Sequence, residues 1–154
     1  MTMTRKEGFR FGFDLWGLGL FLLTMLPNIL WFSVPAPRDI LRAESHTPGW
    51  DLAACCFQVL LAFSLCAFRN GFAEAPFSRK KSFWLAAAFC GCYFFSWVLY
   101  YSGNTSPALI LSLCLFPCAA FFTFAWNRKN LFAMVFSVLF ALCHLAGAVV
   151  NFLL

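Results

Sequence analysis

The sequence predicts an all-α integral membrane protein, a single bundle of five transmembrane helices. Charged side chains are absent from four long segments, residues 15–37, 52–68, 82–127 and 130–154. The chain is 62% hydrophobic and 11% charged, whereas soluble domains are about 45–50% apolar and about 25% charged. A charge-free apolar segment of about 18 residues or more predicts a membrane-spanning helix. We therefore expect residues 1–154 to form one membrane domain.

The five predicted helices follow from these segments in order. The first segment is longer than the apolar core of a signal peptide, about 7–15 residues, which predicts a retained helix. The longest segment is too long for one span, and it divides at the turn-forming residues 102–107, which end in a proline suited to a helix start. The predicted spans are residues 13–34, 50–68, 83–101, 107–126 and 131–154.

Lysine and arginine are unequally distributed between the two sides of the predicted bundle. Nine lie in the N-terminal segment and in the second and fourth connections: Arg5, Lys6, Arg10, Arg69, Arg79, Lys80, Lys81, Arg128 and Lys129. The first connection, residues 35–49 (the outer loop), holds only Arg38 and Arg42. The positive-inside rule then predicts a multi-pass protein of the cell (inner or plasma) membrane, with a cytoplasmic N-terminus and an external C-terminus.

Aromatic residues near the predicted span ends agree with this threading, because tryptophan and tyrosine favour the membrane interface. The expected anchors are Trp16, Trp84 and Trp126 on the inner side and Trp50, Tyr100 and Tyr101 on the outer side. Two prolines fall inside predicted spans, Pro27 and Pro117. Each removes one helical hydrogen bond, so we expect a bend at each position.

The outer loop and the start of the second span concentrate polar side chains on the predicted outer side. The candidate site residues there are Arg38, Asp39, Arg42, Glu44, His46 and Asp51. Long loops on rigid scaffolds often carry function, whereas the alternative is a solvated connector whose charges avoid lipid. Asp39 and Arg42 are three residues apart, so a helical turn would let them pair.

A second group of candidates lies at membrane depth. The candidate ligand-binding residues are Asn28, Trp31, Gln58, His144 and Asn151. Burying an unpaired amide in hydrocarbon costs about 4–8 kcal/mol, so we expect the side chains of Asn28, Gln58 and His144 to point into the bundle. For His144 the alternative is a neutral imidazole hydrogen-bonded between helices, because no carboxylate lies at its depth.

Spacing in two spans indicates which residues share a helix face. Ser137, His144 and Asn151 are seven residues apart, with the small residues Gly147 and Ala148 beside them. In the third span a second row follows helical spacing: Cys90, Tyr93, Trp97 and Tyr100. We interpret this row as lipid-facing bulk and interfacial anchors, with an aromatic-lined cavity for an apolar or cationic ligand as the alternative.

Sequence motifs argue against most enzyme classes. The chain contains no HExxH, GxSxG, Walker or GxGxxG motif, and its eight cysteines all lie in apolar segments, where they suit a packed core. We predict no catalytic residue, no metal and no cofactor. The basic residues are scattered over short segments, which argues against a nucleic-acid partner and leaves the lipid bilayer as the expected surroundings.

The favoured function is that of a non-enzymatic binder or transporter, which takes a small amphipathic molecule through an outward-facing site. Two alternatives stay open. One is a membrane-embedded assembly subunit, packed on a second copy or on another membrane protein. The other is a small membrane enzyme that uses Glu44, His46 or Asp51 of the outer side. A polar cavity at Gln58 and His144 would favour the first hypothesis, and a closed interior would favour the assembly subunit.

Overall fold

The computed structural model describes residues 8–70 and 81–153, which form five long helices. Their bounds are α1 Leu15–Ser33, α2 Pro48–Ala67, α3 Lys81–Tyr101, α4 Pro107–Asn127 and α5 Leu131–Phe152. All five are long and apolar enough to cross a membrane. The predicted helical fold with five long apolar helices is confirmed, and each helix end lies within two residues of its predicted position.

The helices begin where local chemistry satisfies their first backbone N–H groups. Asp14 Oδ1 accepts hydrogen bonds from the amides of Trp16 at 3.0 Å and Gly17 at 3.3 Å. Asn130 caps α5 in the same way, through the amide of Ala133 at 3.1 Å. Proline occupies the first turn of both α2 and α4, where a missing N–H has no cost.

One end of the bundle, here called the basic end, carries the described basic residues Arg10, Arg69, Lys81, Arg128 and Lys129. Two three-residue strands that the sequence did not predict pair there in antiparallel register, β1 (Phe9–Phe11) with β2 (Phe68–Asn70). The structure thus brings the three basic segments to one end. Arg5, Lys6, Arg79 and Lys80 lie outside the described residues, and which end faces the cytoplasm stays a prediction.

Two buried polar contacts join the helices at the basic end. The side chain of Arg128, from the α4–α5 turn, forms an ion pair with Asp14 Oδ2, and its Nε donates at 2.9 Å. Asn130 Nδ2 donates to the carbonyl oxygens of Ser64 at 2.8 Å and Phe68 at 3.1 Å. These contacts tie the start of α1 and the end of α2 to the α4–α5 turn.

The opposite end, here called the loop end, carries the outer loop, the α3–α4 turn and the end of α5. Inside the bundle α5 packs between α2 and α4, and α3 packs on the far side of α4. α1 is the least packed helix and buries only Gly17, Thr24 and Pro27. Its closest approach is to α2, where Gly17 lies against the carbonyl of Leu65.

Burial corrects one interpretation of the third span. The whole row Cys90, Tyr93, Trp97 and Tyr100 is buried, and Tyr100 has no exposed surface. These side chains face the bundle rather than lipid, and Tyr100 is not an exposed interfacial anchor. The four tryptophan anchors, Trp16, Trp50, Trp84 and Trp126, are all more than half exposed, and they lie at the expected ends of their helices. Pro27 and Pro117 lie inside continuous helices and are buried.

Candidate ligand-binding cavity

A cavity of about 320 Å³ lies in the loop-end half of the bundle. All five helices and the outer loop contribute to its lining. Along α5 the lining extends from Phe140 to Phe152, a rise of about 18 Å at 1.5 Å per residue. The volume is at the lower end of the range for small-molecule sites, about 300–1,000 Å³.

The five candidate ligand-binding residues that the sequence predicted all line this cavity: Asn28, Trp31, Gln58, His144 and Asn151. They come from three helices, α1, α2 and α5. None of them is fully exposed, so the expectation that Asn28, Gln58 and His144 point into the bundle agrees with the structure. Whether they bind a ligand stays a prediction.

The polar groups of the lining differ in how far the protein itself satisfies them. Asn28 Nδ2 donates to the Tyr93 hydroxyl at 2.8 Å, which links α1 to α3. Among the described residues, Gln58 Nε2 reaches only the thioether of Met25, at 3.5 Å, and sulfur is a weak acceptor. Among the described residues His144 has no hydrogen-bond partner, and its ring stacks on Phe140 at 5.1 Å. Gln58 and His144 therefore keep hydrogen-bonding capacity for a guest.

Asn151 makes hydrogen bonds at the mouth of the cavity, which is the end lined by the outer-loop residues Leu41, Ala43, Glu44 and Ser45. Its Nδ2 donates to Thr47 Oγ1 at 2.7 Å, and its Oδ1 accepts from the backbone amide of His46 at 2.6 Å. The end of α5 is thereby fastened to the end of the outer loop. Thr47 takes the N-cap position of α2 but makes no side-chain capping bond there.

Six aromatic side chains contribute to the apolar wall. They are Trp31, Tyr93, Trp97, Phe121, Phe140 and Phe152. Trp97 is central, with ring centroids of Trp31 at 6.4 Å, Tyr93 at 6.3 Å and Tyr100 at 5.6 Å. Its indole Nε1 is buried and makes no hydrogen bond of normal geometry with the described residues. The alternative interpretation of the third-span row, an aromatic-lined cavity, therefore agrees with this geometry.

Beside the mouth, the Asp39 carboxylate accepts four hydrogen bonds. Oδ1 accepts from Trp31 Nε1 at 2.8 Å and from the Tyr100 hydroxyl at 2.9 Å. Oδ2 accepts from Arg42 Nε at 2.7 Å and from the Ala36 amide at 3.3 Å. Burial alone would raise the pKa of Asp39, but these hydrogen bonds outweigh it and hold the pKa below its usual value.

Three contacts hold the Arg42 side chain at this position. Its guanidinium pairs with Asp39, donates to the carbonyl oxygen of Trp31, and lies 4.9 Å from the centroid of the Trp31 ring. The pairing of Asp39 with Arg42 that the sequence suggested is confirmed, on a single turn of 3-10 helix, Ile40–Arg42. This outer-loop turn thus clamps the end of α1 to α3.

The remaining outer-side candidates divide into two groups. All four side chains are exposed, but Glu44 and Asp51 line the cavity, whereas Arg38 and His46 do not. Within residues 8–70 and 81–153 no cluster of three or more His, Cys, Asp or Glu residues could hold a metal ion. The eight cysteines are free thiols, four of them buried.

Sequence reasoning did not assign several lining residues to a site, notably Met25, Cys114, Phe121 and Phe140. The first two carry no signal that separates a cavity wall from ordinary packing. The phenylalanines are two of 22 in the chain, so residue type alone does not indicate which of them line a cavity.

Comparison of the chain with protein-family models, with curated proteins and with solved structures gives no match. The helices and their composition are those of a multi-pass helical membrane protein.

Proposed function

We propose that this protein binds a small amphipathic molecule in the loop-end cavity, as a binder or transporter of the cell membrane whose site opens to the outside. The observation that carries the proposal is that one cavity reaches from Glu44 of the outer loop to Gln58 and His144 within the helices. A chain that served only as an assembly subunit would have no need for hydrogen-bonding groups around an open space.

The distribution of polarity in the lining supports an amphipathic guest. Charged residues, Glu44 and Asp51, occur only at the mouth, while amides and an imidazole lie at intermediate depth. Met25 lies at the depth of Gln58, and below them the wall is apolar, with Phe121 and Phe140. A molecule with a polar head outward and an apolar body inward matches this order.

The enzyme alternative has less support. His46, one of the three residues that the outer-loop hypothesis names, does not line the cavity that holds the other two, Glu44 and Asp51. General acid–base chemistry needs the participating groups within reach of one substrate.

The test uses purified protein in lipid nanodiscs and three probes with one skeleton: 4-phenylbutylammonium, 4-phenylbutan-1-ol and 4-phenylbutanoate. We expect at least one probe to bind saturably, and Ala148→Phe to abolish this binding because the new ring enters the cavity that Ala148 lines. Leu142→Phe, on the exposed face of the same helix, is the matched control and should bind normally.

Two further variants probe the groups with spare hydrogen-bonding capacity. Gln58→Leu and His144→Ala should each weaken binding by about fivefold, the effect of one hydrogen bond of about 1 kcal/mol. If no probe binds saturably, or if Ala148→Phe binds as well as the unaltered protein, the proposal is wrong and the assembly-subunit hypothesis gains.

A further inference from the structure

Of the four described carboxylates, two form ion pairs and two do not. Asp14 forms an ion pair with Arg128, and Asp39 forms one with Arg42. Glu44 and Asp51 form no ion pair with any described residue, and both line the cavity. All acidic charge that is left uncompensated in the described chain therefore lies at this one mouth.

No lysine or arginine of the described chain offsets these carboxylates within the lining. The described lysines and arginines all lie elsewhere, and the cavity wall contains none of them. Arg42 lies beside the mouth but is held by Asp39 and by Trp31. Both carboxylates are exposed, but the low-dielectric walls of the cavity focus their field, so the mouth attracts cations and repels anions.

The position of Asp51 brings its carboxylate toward the far wall of the cavity. A Cβ atom added at Gly147 would lie 3.3 Å from Asp51 Oδ1, so the carboxylate of α2 packs directly against α5. Asp51 lies seven residues before Gln58 on α2, a rise of about 10 Å. The negative charge thus stands above the amide, at the mouth.

The aromatic wall suits a cation independently of the carboxylates. Six aromatic side chains line the cavity, and the face of an aromatic ring attracts ammonium and guanidinium groups. The protein already uses this combination once, since Arg42 lies over the Trp31 ring while its guanidinium pairs with Asp39. In the cavity the same two components, aromatic faces and carboxylates, occur without a cation of the protein's own.

We infer that the ligand of this cavity is a lipophilic organic cation, an ammonium or guanidinium group on an apolar body, with its charge held between Glu44 and Asp51 and its body among the aromatic rings. This inference rests on the proposed function and specifies its ligand class. An uncharged amphipath would fill the same space without using either carboxylate, and an anion would be repelled at the mouth.

The test compares the three phenylbutyl probes in nanodiscs of phosphatidylcholine, which carries no net charge. We expect 4-phenylbutylammonium to bind about tenfold more tightly than 4-phenylbutan-1-ol and 4-phenylbutanoate to bind most weakly. In the double variant Glu44→Gln and Asp51→Asn, ammonium affinity should fall about tenfold while alcohol affinity is unchanged. The unchanged alcohol binding also establishes that the variant is folded.

Arg38→Gln is the matched control, because Arg38 is a charged outer-loop residue that does not line the cavity. It should alter ammonium affinity by less than about twofold, because its charge lies outside the cavity and acts on the guest only through salt-containing solvent. Equal affinities for ammonium and alcohol, or an ammonium affinity that the double variant leaves intact, would overturn the cation inference while leaving the proposed function standing. Failure of all three probes would instead refute the proposed function.

Discussion

At the scale of single residues, Asp39 determines how the loop end is held together. Its carboxylate links three parts of the chain, because its donors are Trp31 at the end of α1, Arg42 of the outer loop and Tyr100 at the end of α3. Two of these partners, Trp31 and Arg42, lie at or beside the mouth of the cavity. Asp39 therefore positions the rim rather than contacting a guest.

Replacing Asp39 by asparagine should destabilise the protein by about 2 kcal/mol at neutral pH, the value of hydrogen bonds to a charged group. The lowered pKa of Asp39 means that the carboxylate stabilises the folded state above its ordinary pKa of 3.8. This contribution is lost as the pH falls through the still lower pKa of the folded state. The free energies of unfolding of Asp39→Asn and of the unaltered protein, measured in mixed micelles, should therefore differ less and less as the pH falls below 3.8.

Arg38→Gln again provides the control, because Arg38 is exposed and lies next to Asp39 in the chain. It should change the free energy of unfolding by less than about 0.5 kcal/mol. Equal stability of Asp39→Asn and the unaltered protein at pH 7 would contradict the assigned role of the carboxylate.

At the scale of helices, the contact between α1 and α2 depends on one glycine. A Cβ atom at Gly17 would lie 2.3 Å from the carbonyl oxygen of Leu65, whereas one at Gly19 on the same helix would meet nothing within 4 Å. Gly17→Ala should thus push the helices apart and destabilise the protein by about 1–3 kcal/mol. Gly19→Ala should be neutral or stabilise by up to about 1 kcal/mol, because alanine favours helix.

The measurement is the midpoint of unfolding of both variants, together with binding of the phenylbutyl probes. Because α1 carries Asn28 and Trp31 into the lining, a displaced α1 should also weaken binding in Gly17→Ala. Equal behaviour of the two alanine variants would mean that α1 does not pack on α2 as closely as the structure indicates.

A second helix-scale prediction concerns the buried ion pair at the basic end. Arg128→Met would leave the Asp14 carboxylate, 4% exposed, without its partner, a loss worth about 3–5 kcal/mol. Adding Asp14→Asn should recover much of this loss, since asparagine retains the cap of α1 without a charge. Lys81→Met, at an exposed position of the same end, is the control for the unfolding titration, and a loss equal to that of Arg128→Met would contradict the assignment.

The sequence was sufficient to predict where the helices lie in the chain, but not which face of each helix points into the bundle. Charge is excluded from hydrocarbon so strongly that the gaps between charges, together with the turn-forming residues 102–107, locate all five helices, and each helix end lies within two residues of its predicted position. Because lipid and bundle interior are both apolar, hydrophobic spacing could not tell whether the row with Tyr93 and Trp97 faced inward. Polar side chains escape this ambiguity, which is why Asn28, Gln58 and His144 could be assigned to the interior.

Contacts between distant parts of the chain were beyond the sequence. The hydrogen bond from Tyr100 to Asp39 joins residues 61 positions apart, and nothing in either segment indicates its partner. The strands β1 and β2 contain three residues each, too few to show the alternation that predicts a strand.

At the scale of the whole molecule, the direction of the bundle in the membrane decides what the cavity can sample. The described residues of the three basic segments lie at one end, and the mouth with Glu44 and Asp51 lies at the other. If the positive-inside rule holds, the basic end is cytoplasmic and the mouth opens outside the cell. The odd number of spans then places the C-terminus outside as well.

Paired reporter fusions test this orientation, because alkaline phosphatase is active only outside the cytoplasm and green fluorescent protein folds efficiently only within it. A C-terminal fusion should show phosphatase activity without fluorescence, and a fusion after Lys129, in the α4–α5 turn, should show the reverse. The opposite pattern at both sites would overturn the predicted orientation. The carboxylates at the mouth would then face the cytoplasm, and the cavity would draw its cation from inside the cell.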